Sequence, residues 1–352
     1  MAVTWVAIGL EAVGALLVVA TLLPFIPSNS GFIRTFDFPR LQIAALIVAV
    51  ILGLLIVARD ATGLSLAAGL VAALAYQVAC IYPFTRLVSP QAVAAEAGAC
   101  RSAAGVSIMI ANVLESNRAT APVLDLVAAQ DPDLLLLVET DAAWAEALEP
   151  LKARYPYVVA QPQDNTYGLM FYSKLPLTDP QVRFLLQDDV PSVRAGVTLR
   201  SGQTFTFFGV HPRPPHPGQS SAPRDAELIL VAREVKAEGR PAVVAGDLND
   251  VAWSKTNDLF QNISGLLDPR IGRGLYPTFN AKWPLLRWPL DHIFFSDDFL
   301  LGRIERLPHI QSDHFPILIS LCRTEAAPRL QDAPEATAED HRDAQEAVEA
   351  AR

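Results

Sequence analysis

Three long apolar segments open the chain: Val3 to Pro24, Leu41 to Ala58 and Leu64 to Phe84. Each can cross a hydrocarbon core of about 30 Å at about 1.5 Å per residue. The only charged side chains in residues 1–88 are Glu11, Arg34, Asp37, Arg40, Arg59, Asp60 and Arg86. Three such runs in succession, nearly free of charge, argue against buried helices of a soluble domain, so the segments read as three transmembrane helices contacting the bilayer through residues 3–84. A cleaved signal peptide is the competing reading of the first segment. It lacks a positive leading region, and two further spans follow it. Glu11 reads as a packing residue between helices or near a helix end.

Beyond residue 88 the composition changes. Residues 89–323 hold 21 Lys or Arg against 26 Asp or Glu, with no basic stripe, which speaks against a surface built for tight duplex nucleic-acid binding. Three cysteines exclude a disulfide-rich scaffold. The expected organisation is a membrane anchor over 1–88, a small-residue linker over 89–104, a catalytic domain over 105–323 and an acidic, disordered tail over 324–352, with a nascent helix near its end. Within the domain, "GVSIMIANV", "PDLLLLVE", "TFTFFGVH" and "PAVVAGDLN" read as strands. "TAPVLDLVAAQ", "TDAAWAEALEPLKARY" and "SAPRDAELILVAREVKAEG" read as helices. Helices alternate with strands, yet hairpins such as "VTLRSGQTFTFF" also occur. The fold class is therefore α/β: a two-sheet β-sandwich flanked by helices, preceded by the spans.

The strands end alike. One stops at Asn112, one at Glu139, one at His211, and one at Asp247 with Asn249 two residues on. Asp291 opens "DHIFFS", and Asp313 and His314 precede "FPILISL". Strand-end loops are where a rigid scaffold presents chemistry. Oxygen-rich donors of this kind suit a hard cation such as Mg²⁺ or Mn²⁺, whereas zinc would need more closely spaced His or Cys. No G-x-S-x-G elbow is present, so a serine nucleophile is not indicated.

In this order the motifs "ANV", "LLLLVET", "GVHPRPP", "GDLND", "YPTFN", "LDHIFFS" and "SDHFPI" resemble the endonuclease/exonuclease/phosphatase superfamily, the DNase I-like fold, over roughly residues 105–321. The resemblance implies a metal-dependent phosphoester hydrolase, a phosphodiesterase or nuclease. It implies Asn112, Glu139 and Asp313 as metal residues. His211, Asp247, Asn249, Asp291 and His314 would be catalytic: Asp247 on the attacking water, and His314, paired with Asp291, on the phosphate. Arg194 and Arg224 are weaker candidates for substrate phosphate. The motifs do not choose among nucleic acid, phospholipid and inositol phosphate. A phospholipid or phosphoinositide phosphodiesterase is the first alternative, and a catalytically inactive, membrane-tethered binder of phosphate ligands is the second. No protein partner is predicted.

The side of the membrane is contested. With three spans, Arg34, Arg40, Arg86 and Arg101 lie on the catalytic side and Arg59 on the other, which favours a cytoplasmic domain. Cys100 and Cys322 point the other way. They flank the first and last strands of the domain, and if those strands pair antiparallel the cysteines meet at one end, as a disulfide in an oxidising compartment. The preferred expectation is an inner-membrane protein with an extracytoplasmic domain.

Overall fold

The computed structural model describes residues 2–57 and 60–352. Arg59, one of the arginines weighed for topology, and Ala58, the last residue expected in the second span, lie outside the described residues. The chain forms two compact units.

The first unit is built from α1 (Ala2–Leu22), the short α2 (Gly31–Arg34), α3 (Arg40–Val57) and α4 (Ala61–Ile81). Leu17, Ile43, Ile47, Val50, Leu54 and Leu70 pack inward, while Trp5, Leu16, Leu46, Leu52, Ile56 and Val71 stay exposed. Helices apolar all round are suited to lipid, and three helices here are long and apolar enough to span a membrane. A buried polar chain ties the bundle. Arg40 Nη2 lies 2.6 Å from Asp37 Oδ1, Arg40 Nη1 donates to Gln77 Oε1 at 3.1 Å, and Gln77 Nε2 donates to Thr21 Oγ1 at 3.0 Å. Residues 215–221, expected within the catalytic domain, belong to this unit instead. Gly31 N donates to Gln219 O and Ser221 N to Asn29 O, each at 2.7 Å. Pairing of this kind is made by backbone groups, so side-chain patterning carries no trace of it.

The second unit is the sandwich. β1 (Gly105–Asn112), α5 (Thr120–Gln130), β2 (Leu134–Val138), α6 (Ala142–Ala147), β3 (Tyr157–Gln161), β4 (Leu169–Ser173), β5 (Leu177–Arg183), β6 (Ser192–Thr198) and β7 (Thr204–Gly209) come first. They are followed by α7 (Ala222–Glu238), β8 (Ala242–Asp247), α8 (Lys255–Ser264), β9 (Asp291–Phe295), β10 (Phe299–Arg306), β11 (Ile317–Arg323) and α9 (Ala338–Glu349). One sheet runs β10-β11-β1-β2-β4-β3 and the other β5-β6-β7-β8-β9. Between them lies a core that includes Ile108, Leu136, Phe171, Phe207, Val243 and Ile319, with Phe171 and Phe207 stacked at 4.5 Å. The outer faces are covered too. α5 and α6 lie on the first sheet through Val123, Val127 and Trp144, and α7 and α8 on the second through Ile229 and Phe260. Covering both faces explains why β2 is an unbroken apolar run.

Two boundary expectations are corrected. The stretch 89–104 is not a free linker. Ala92 is buried in the core, Ala95 N donates to Leu301 O at 2.8 Å, and Gln91 accepts from Asp268 N at 2.7 Å. The acidic tail is not structureless either. Thr337 and Asp340 form a reciprocal capping box at the start of α9, and Ala344 and Val348, one turn apart, are buried with the α7–α8 layer. Only two buried apolar positions mark that helix, too few to stand out against its charges. Cys100 and Cys322 are joined, for the reason the strand order suggested: β1 and β11 pair antiparallel, Gly105 opposite Cys322.

Candidate active site

Strand direction gathers the site. β1 runs parallel to β2, and β7 parallel to β8, so Asn112, Glu139, His211 and Asp247 emerge from C-terminal ends. β9 runs antiparallel to β8 and β11 antiparallel to β1, so their N-terminal ends arrive at the same edge, with Asp291 directly opposite Asp247. Glu139 and Asn249 sit at φ 60° and 51°, in the left-handed region that costs a non-glycine residue of order 1 kcal/mol or more.

Gly246 answers why a buried strand should end G-D-L-N. A Cβ at that position would lie 1.8 Å from the Val210 carbonyl oxygen, far inside van der Waals contact. The missing side chain lets the end of β7, carrying His211, lie against the end of β8, carrying Asp247. Gly246→Ala is expected to cost about 3 kcal/mol or more by forcing those strands apart. Thermal denaturation of the detergent-solubilised chain checks it, and a midpoint equal to the parent's refutes it.

Asp247 Oδ2 is the hub. It accepts from Asn112 Nδ2 at 3.0 Å, and it lies 3.5 Å from His314 Nε2 and 3.8 Å from His211 Nε2. Its other oxygen accepts the Asn249 N–H at 3.0 Å. Asn112 Nδ2 also reaches Glu139 Oε1 at 2.7 Å, and Glu139 Oε2 accepts from Glu115 N at 3.2 Å. On the far side His314 Nδ1 stands 2.8 Å from Asp291 Oδ2. Asn249 Nδ2 donates to Pro212 O at 2.9 Å, which fixes the amide against the loop after His211.

The electrostatics separate these groups. Burial would lower the His314 pKa, but Asp291 and Asp247 beside it outweigh burial and raise it to about 10, so the ring is a cation at neutral pH. His211 is also fully enclosed, and burial lowers its pKa. Burial raises Asp247. Burial likewise pushes Glu139 up to about 7, helped by the nearby Asp247 and opposed by the hydrogen bonds from Asn112 and the Glu115 N–H.

Among the described residues, Asp247, Asp291 and His314 bring ligand atoms within 4.8 Å of one another. That group sets one cation, His314, between two carboxylates. Glu139 accepts only from neutral donors, Asn112 Nδ2 and Glu115 N, which leaves its charge open to a cation, while Asn112 Oδ1 accepts from Leu114 N at 2.9 Å. Asp313 does not join either group by hydrogen bonding. Its carboxylate meets Ser312 Oγ at 3.5 Å, and its charge helps raise His314.

The two arginines expected to bind phosphate are engaged elsewhere. Arg194, on β6, pairs with Glu238 at 2.5 Å. Arg224 is buried against Asp225, lies 3.2 Å from Asp250, and donates to the Asn249 carbonyl at 2.8 Å, so it braces the site loop. Apart from Asp225, which adjoins Arg224, these partners are distant in sequence or are backbone groups. The residue-by-residue reading also passed over a second layer. Thr278 Oγ1 accepts the Asp291 N–H at 3.2 Å, the Phe279 ring lies 4.9 Å from His314, and His292 bridges Arg270 Nη2 and the Asp250 carbonyl. The Thr-Phe pair in "YPTFN" was the available signal for the first two.

The family model described as Endonuclease/Exonuclease/phosphatase family matches residues 109–314. No curated protein matches the sequence. Among solved structures, D. rerio TDP2 complexed with a single-strand DNA product is 17% identical with TM-score 0.53, covering 62% of this chain and 98% of that one. An endonuclease/exonuclease/phosphatase from Beutenbergia cavernae DSM 12333 is 18% identical with TM-score 0.52, covering 62% and 72%. The human Nocturnin catalytic domain with bound sulfate is 16% identical with TM-score 0.52, covering 62% and 95%. At these identities the likeness is one of fold.

Proposed function

Because this chain belongs to the endonuclease/exonuclease/phosphatase family, we propose that it is a divalent-metal-dependent phosphodiesterase held at a membrane by its three N-terminal helices. The observation that carries this reading is Asp247, a buried carboxylate set between the Asn112–Glu139 pair and the charged His314–Asp291 pair. Glu139 and Asn112 would hold Mg²⁺ or Mn²⁺, which would supply positive charge to offset the charge developing on the phosphate in the transition state. Asp247 orients the attacking water or takes its proton, with Asn249 beside it. His314, kept cationic by Asp291, donates to a phosphate oxygen, and His211 contacts the phosphate from the other side. Asp313 strengthens the charge on His314. No protein nucleophile is needed for in-line attack by water on phosphorus. The D. rerio TDP2 complex makes nucleic acid one candidate substrate, and phospholipid is the other.

The test is hydrolysis of bis-p-nitrophenyl phosphate by the full chain in detergent with Mg²⁺. Turnover abolished by EDTA is expected, and turnover undiminished in excess EDTA defeats the reading. A chain that binds phosphodiesters without cleaving them would favour the inactive binder.

The catalytic domain is proposed to face an oxidising compartment, since a Cys100–Cys322 bond would not persist in a reducing one. Closing so long a loop, 222 residues apart in sequence, is worth up to about 5 kcal/mol in the chain-entropy model. Reductant should lower the thermal midpoint, and non-reducing mass spectrometry should recover the joined peptides. Free thiols in the purified protein, with the domain protected from protease in spheroplasts, would place it in the cytoplasm.

A further inference from the structure

Residues 279–288, "FNAKWPLLRW", form a hairpin rooted in the active site. Its stem is closed by Phe279 N donating to Trp288 O at 3.0 Å and Asn280 N donating to Leu286 O at 3.2 Å. The same stem grips the catalytic residues. Thr278 O accepts from Phe315 N at 2.9 Å, Asp313 O accepts from Ala281 N at 2.6 Å, and the Phe279 ring lies 4.9 Å from His314. Arg287 caps the Asn280 and Ala281 carbonyls and lies over the Phe315 ring at 4.9 Å, with Arg306 over that ring at 4.4 Å.

The tip does the opposite of what a soluble loop should. Trp283, Leu285 and Leu286 are 64%, 84% and 47% exposed. The other large apolar side chains left exposed in this unit, Tyr157, Phe184 and Leu330, are far apart in sequence, whereas these three fall within four residues. Clustered exposure of this kind marks an interaction surface. Three cations surround it, Lys282 at the tip and Arg287 and Arg306 at the stem, in a protein of net charge −9. An indole beside aliphatic side chains and flanking cations matches the boundary between anionic headgroups and acyl chains. Nucleobase stacking would use the ring of Trp283 but not Leu285 or Leu286, which have no π-face.

Resting on the phosphodiesterase reading, we infer that the 279–288 hairpin docks on the surface of an anionic bilayer and that the bond hydrolysed is a phosphodiester of a membrane phospholipid. Water adds to phosphorus, the P–O bond to the alcohol breaks, and that alcohol leaves with a proton, so no further reactant is required.

The experiment uses the full chain reconstituted in vesicles of phosphatidylcholine, phosphatidylethanolamine and phosphatidylglycerol. The triple variant Trp283→Ser, Leu285→Ser, Leu286→Ser should lose about tenfold or more in lipid hydrolysis. It should keep its rate on bis-p-nitrophenyl phosphate, which also reports that the site is folded. Vesicles with brominated acyl chains should quench a component of the indole emission that Trp283→Phe removes. Single-stranded DNA cleaved while none of these lipids is, an equal loss on soluble and lipid substrates, or no difference in quenching on Trp283→Phe each overturns the inference. Wild-type protein inert on bis-p-nitrophenyl phosphate defeats the phosphodiesterase reading itself, and quenching still decides the docking.

Discussion

Glu139→Ala is expected to lower kcat by about a thousandfold, the loss of roughly 4 kcal/mol of transition-state stabilisation. Glu139 has two oxygens fixed by Asn112 Nδ2 and Glu115 N, both neutral donors, so its charge is available to a cation. Burial raises its pKa to about 7 in the metal-free chain. The carboxylate form is therefore lost as pH falls through 7, and metal affinity should fall with it. A bound cation favours the charged form and moves that limb lower as its concentration rises. Isothermal titration with Mn²⁺ at several pH values checks this. Affinity independent of pH between 6 and 8, or equal binding by Glu139→Ala, would remove Glu139 from the metal site.

His314→Ala and Asp291→Ala should each cost about a hundredfold to a thousandfold in kcat/KM, and together scarcely more than either alone. The 2.8 Å contact between His314 Nδ1 and Asp291 Oδ2 makes them one unit. Removing Asp291 takes away much of what keeps the imidazole charged, and removing His314 leaves Asp291 buried without its cation. Losses that multiply in the double-mutant cycle would show two separate roles. The pH profile carries a second sign. The histidine pKa is raised from 6.5 to about 10 in the folded chain. The stability it contributes is complete below 6.5 and fades as pH rises through 10. Activity should fall along the same limb. Asp291→Asn should bring that limb down toward neutrality, and an unmoved limb would assign it to another group.

The residues of the candidate site stand out in the sequence because they lie at strand ends. Asn112, Glu139, Asp247 and His314 each follow or precede an apolar run long enough to name a strand, and a polar residue at such a boundary is visible one motif at a time. The three long apolar helices were legible for a related reason, since each is about twenty apolar residues in unbroken sequence. The second layer was less so. The fold places Asp250 and the Asn249 carbonyl beside Arg224, and Glu238 of α7 beside Arg194, partners that the sequence does not show.

Composition and periodicity by themselves determined the three long apolar helices, the two-sheet class and the identity of the acids, amides and histidines at the strand ends. Tertiary structure alone decided that Asp247 is the hub, that residues 215–221 pair with Asn29 and Gly31, and that α9 is folded rather than free. The physical reason is range. Hydrophobic period and strand termini are written within a few residues of one another. Charge pairing, backbone pairing and close approaches such as that of Gly246 to Val210 depend on groups brought together only by strand order.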